Sequence, residues 1–65
     1  MIAPHYQLMA AASAIGTAMQ NAKGAELRAL AIARRHALAG ARLLAPDNEA
    51  YERITAMLEL PVEGV

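Results

Sequence analysis

Bulky apolar residues open the chain at Leu8, Ile15 and Met19, with Ala11, Ala12, Ala18 and Ala22 among them, in steps of three and four. That spacing predicts an amphipathic helix over 5–22. Pro4 suits its first turn, where a missing N–H costs nothing. Ser13, Thr17, Gln20 and Asn21 fall on the opposite side. Ala10, Ala14, Ala18 and Ala22, every fourth residue beside Gly16, would let a neighbouring helix come close.

Asn21-Ala22-Lys23-Gly24 reads as a stop. Lys23 favours the negative end of a helix dipole, and Gly24 can take a left-handed closing conformation. A second helix is then expected over 25–44 and a helical hairpin results. The alternative is one unbroken helix over 5–45, since an internal glycine costs only about 1 kcal/mol. Pro46 ends the second helix, and Asp47 is placed to cap a third over 48–60, with Glu49 near its positive end. Tyr51, Ile54 and Leu58 form the third helix's apolar stripe, with Met57 beside it, and Pro61 closes it.

The second helix is apolar on two sides. Leu27, Leu30, Leu38 and Leu44, with Ala31, Ala37, Ala41 and Ala45, cover a broad arc. Ile32, Ala39 and Leu43 form a second patch nearly opposite. Between them Arg28, Arg35 and Arg42 recur every seventh residue and so lie in a row. A helix apolar on both sides of a charged ridge is expected between neighbours, with arginine stems covering apolar surface at the border. Arg34 departs from this order. It sits in the Leu27–Ala31–Arg34–Leu38–Ala41–Ala45 series and interrupts the apolar seam, either by snorkelling to water or as a charge that sets register.

Composition turns this pattern toward self-association. Of the apolar residues, 17 are alanine; only 20 are bulky, and Phe, Trp and Cys are absent. One domain of 65 residues with so little bulk and no disulfide or thiolate–zinc staple is marginal as a lone monomer. The fold expected is therefore all-α: a helical hairpin plus a short third helix, self-associating into a bundle. Leu8, Ile15, Met19, Leu27, Leu30 and Leu38 are the association residues, with Arg34 and Arg35 as candidates for specificity.

Charge is balanced at six basic against six acidic residues but is divided along the chain. Residues 1–45 carry five basic residues against Glu26, and residues 46–65 carry five acidic residues against Arg53. The acidic third helix can therefore neutralise the basic second, with Glu49, Glu52 or Glu59 meeting the arginine row from the same chain or a partner. A nucleic-acid regulator gripping phosphate with the arginines of the second helix is the rival reading. Zero net charge, no Phe or Trp for stacking and no Asn, Gln, Ser or Thr on that helix argue against it.

The uncharged beginning raises the question of a membrane. No basic group precedes the apolar run, and Gln7, Ser13, Gly16, Thr17 and Gln20 dilute it below what a signal or a span of about 20 apolar residues needs. A membrane-surface role is the third reading, and a cytoplasmic location is expected.

Residues 41–51, ARLLAPDNEAY, resemble the junction between tetratricopeptide repeats, through Ala41, Leu44, Pro46 and Tyr51. The preceding helix lacks the companion pattern: Ala18, Asn21, Ala22 and Ala25 stand where Trp, Leu, Gly and Tyr are expected. The likeness implies a shared helix–turn–helix, not family membership.

Site chemistry is sparse. His5 and His36 have neither a histidine nor a carboxylate at ligand spacing, and a surface or border position is expected for both. Ser13 and Thr17 lack a His–acid partner, and no glycine-rich phosphate loop occurs. No catalysis, metal or cofactor is expected. The function this predicts is a small protein–protein interaction module, an adaptor, co-chaperone or binding inhibitor, whose partners are itself and another protein.

Overall fold

The structure, a computed structural model, describes residues 2–59. It is all-α: α1 spans Pro4–Met19, α2 Gly24–Leu43 and α3 Asn48–Glu59. Leu60 and Pro61, with the expected last residue of the third helix and its stop, lie outside the described residues.

Each boundary has a local cause. Pro4 occupies the first turn of α1, preceded by Ala3 in an extended conformation. The helix stops at Met19, three residues before the expected 22, and tightens through Gln20, Asn21 and Ala22, whose N–H groups donate to carbonyls three residues back. Lys23, expected at the end of α1, instead lies extended before α2. Gly24 has φ of +60°, the left-handed conformation that reverses the chain at little cost to a residue without Cβ. The unbroken 5–45 helix is thereby replaced by two helices. Asp47 caps α3 as expected: the Ala50 N–H donates to Asp47 Oδ1 at 2.8 Å.

α1 runs antiparallel along α2. A Cβ on Gly40 would lie 3.2 Å from Leu8 Cδ1, near one end, and a Cβ on Gly16 would lie 4.0 Å from Arg34 Nε, further along. The face of α1 turned to α2 holds His5, Leu8, Met9, Ala12, Ile15, Gly16 and Met19, all buried or half-buried. This is the expected stripe rotated by part of a turn, since Ala11 and Ala18 are exposed. Met9 and His5 bring more area inside than two alanines could.

α3 folds back against α2, and no Cα of α3 comes within 8 Å of one in α1. α2 is therefore the middle helix, and the three elements meet only through side chains. That junction is the core: Ala12 from α1, Leu38 and Ala41 from α2, and Ile54 from α3, with Leu8, Met9, Met57 and Leu58 packed around them. Leu38 and Ile54 are the largest fully buried side chains among the described residues. Each contributes about 1.5–3 kcal/mol from burial. The body is shallow, 36 × 24 × 13 Å.

Candidate interaction surface

Both α1 and α3 lie against the same broad side of α2. Leu27, Leu30, Ala31, Ala37, Leu38, Ala41 and Ala45 are buried or half-buried there. The expected enclosure of α2 on both apolar sides is therefore met on one side by this chain. On the other, Ile32 is 58% exposed and Leu43 87% exposed, with Leu44 at one edge also exposed. At 3.6 residues per turn, Ile32 and Leu43 align with Ala25, Ala29, His36 and Ala39. Those six residues follow one another by steps of four, three, four, three and four, a seam of the kind one helix offers another. Ala39 is half-buried and the other five are exposed.

The arginine row borders this seam on the side of α3. Arg28 and Arg35 are exposed, whereas Arg42 is half-buried. Arg42 Nη1 donates to Thr55 Oγ1 at 3.5 Å, and Thr55 Oγ1 donates in turn to the Tyr51 carbonyl at 2.8 Å. The Arg42 guanidinium also lies 5.5 Å from the centre of the Tyr51 ring, a cation–π approach. The first helix-to-helix partner of the row is thus a hydroxyl and an aromatic face, not one of the carboxylates expected. Glu49 is engaged within its own helix, where Arg53 Nη2 donates to Glu49 Oε1 at 3.0 Å. Glu52 and Glu59, seven apart on α3, are exposed.

Of the residues expected to join copies together, two are buried and four keep part of their surface. Leu38 is 0% exposed and Met19 is buried, so neither has free surface in this arrangement. Leu8, Ile15, Leu27 and Leu30 are half-buried. Arg34 is half-buried over Gly16, at the seam position its spacing indicates, and Arg35 is exposed on the ridge. Ile32 and Leu43 were legible as an apolar patch. What the pattern alone did not show is that α1 and α3 share one side of α2 and leave that patch uncovered.

His5 differs from expectation. It is 5% exposed rather than at the surface, with its ring centre 4.1 Å from that of Tyr6. His36 is exposed, as expected. Among the described residues no group of three or more His, Cys, Asp or Glu could hold a metal ion. Nor is any of their helices long and apolar enough to cross a membrane. Comparison with protein-family models, with curated proteins and with solved structures gives no match.

Proposed function

We propose that the chain is a small helical interaction module, an adaptor or binding regulator of the cytoplasm, that acts by docking its α2 face onto another helix, beginning with a second copy of itself. The observation that carries this reading is the uncovered seam on α2, above all Leu43 at 87% and Ile32 at 58% exposure. Large aliphatic side chains aligned at helical spacing lose apolar area to water unless a partner covers them. The thin core supports the same reading, because Leu38 and Ile54 are the only large side chains completely withdrawn from water among the described residues.

The test is analytical ultracentrifugation across a dilution series, with and without Ile32→Lys and Leu43→Lys. Both residues stand clear of the hairpin core, so the variants should keep their helix content. The expected result is a reversible wild-type oligomer that the two substitutions disperse. A wild-type monomer at every concentration, or an oligomer indifferent to both lysines, would overturn the proposal.

A further inference from the structure

We infer that the α2 seam is filled by α2 of a second copy lying antiparallel to it, with the exposed arginines of each copy meeting the acidic outer row of the other's α3. This inference rests on the self-association proposed above and specifies its geometry.

Shape favours the antiparallel order. The seam reads Ala25, Ala29, Ile32, His36, Ala39, Leu43. Reversed against itself about its midpoint, it places Leu43 over Ala25, Ala39 over Ala29, and Ile32 against His36. Only the middle pair brings two sizeable groups together, and the ends set one large residue over one small one or small over small. A parallel pairing stacks Leu43 on Leu43 at one end and Ala25 on Ala25 and Ala29 on Ala29 at the other. Such helices diverge where the leucines meet and leave a gap where the alanines do, and voids forfeit contact on both walls. The antiparallel order distributes the bulk symmetrically about the midpoint, so the axes do not splay toward one end.

Charge complements that order. A two-fold axis through the midpoint lays the arginine rows side by side, Arg28 beside the partner's Arg42 and Arg35 beside the partner's Arg35. Like charges so placed repel. The structure supplies the remedy on the same border. Arg42 is drawn down onto Thr55 and the Tyr51 ring. Glu52 and Glu59 are both exposed on α3, and at 3.6 residues per turn they fall next to Thr55 on the side away from the buried Ile54. Their separation of seven residues equals that of Arg28 and Arg35, so both rows have the same repeat of two turns. Arg28 of an arriving copy comes to the level of Arg42 and finds Glu52 as its counter-charge, while Glu59 lies toward the level of the paired Arg35 residues. Among the described residues neither Arg28 nor Arg35 makes an ion pair with a carboxylate of its own chain.

Two sets of variants of the full chain test this, each read by ultracentrifugation and helix content. The chain has no cysteine, so Ala29→Cys and Ala39→Cys variants report orientation directly. Mixed and oxidised, they should give a crossed disulfide that joins position 29 of one copy to position 39 of the other. Disulfides formed within each variant alone would overturn the antiparallel order, because a disulfide needs Cβ atoms about 4 Å apart. Arg28→Glu with Arg35→Glu, and separately Glu52→Arg with Glu59→Arg, should each weaken the dimer by about tenfold or more. Mixed in equal amounts, the two should recover a one-to-one dimer of near wild-type affinity. Lys23→Glu with Arg53→Glu changes net charge as much as the first pair and should leave the dimer intact. Charge reversals without effect, or reversed variants that fail to recombine, would overturn the inference while the self-association reading stands. A monomeric wild type would remove both.

Discussion

Gly16 sits inside α1, where a residue without a side chain weakens the helix, and yet the space beside it is open. A Cβ there would meet Arg34 Nε at 4.0 Å, an ordinary van der Waals contact. Gly16→Ala should therefore stabilise the chain by about 0.5–1 kcal/mol through the gain in helix propensity. Chemical denaturation checks it; a loss of stability would mean that Arg34 must lie closer to the α1 backbone than this separation. Gly40 differs, because its Cβ would press on Leu8 Cδ1 at 3.2 Å. Gly24 differs again, since its φ of +60° suits no side chain well. At this scale much was legible: Gly24 and Asp47 follow from chemistry local to one or two residues. His5 was not, because its burial is a matter of tertiary packing that no local pattern displays.

The three helices owe their existence to repeats and punctuation that any single segment displays, and so their number and order were legible, as was the hairpin as one of two outcomes. Their rotations were not. The stripe expected on α1 used Ala11 and Ala18, but alanine carries so little area that Met9 and His5 outweigh it once α2 is present. On α2 the pattern offered two apolar sides without saying which one α1 and α3 would share. α3 is the element most dependent on its cap, being 12 residues long and with no Cα within 8 Å of α1. A helix this short is marginal without tertiary support. Asp47→Ala removes the 2.8 Å bond to the Ala50 N–H and should cost about 1 kcal/mol. The loss should fall first on α3: hydrogen exchange is expected to speed at Ile54 and Leu58 while Leu30 and Ala31 in α2 keep their protection. Uniform acceleration throughout would mean that α3 and the hairpin unfold as one unit.

The whole molecule is a shallow arrangement in which the middle helix carries its neighbours on one side and shows water an apolar seam on the other. In the dimer proposed above, stability and association are linked, because a partner that binds the folded state draws the equilibrium toward it. The midpoint of thermal unfolding should therefore rise with protein concentration. His36 makes this separable from the fold. It is exposed in the single chain, so exchanging it for leucine touches no core contact. In the antiparallel dimer proposed above, each copy's residue 36 would lie against the partner's Ile32, and the two-fold axis would count that exchange twice. His36→Leu replaces two polar rings in the seam by aliphatic groups. Burial of even part of each leucine, about 1.5–3 kcal/mol when complete, tightens the dimer by about tenfold or more. The unfolding midpoint should then be unchanged at high dilution and higher than wild type at high concentration, with the curves separating where the wild-type dimer forms. A uniform upward shift at all concentrations would place the benefit within the single chain. No shift at any concentration would mean that position 36 stays wet, and that the seam is not where two copies meet.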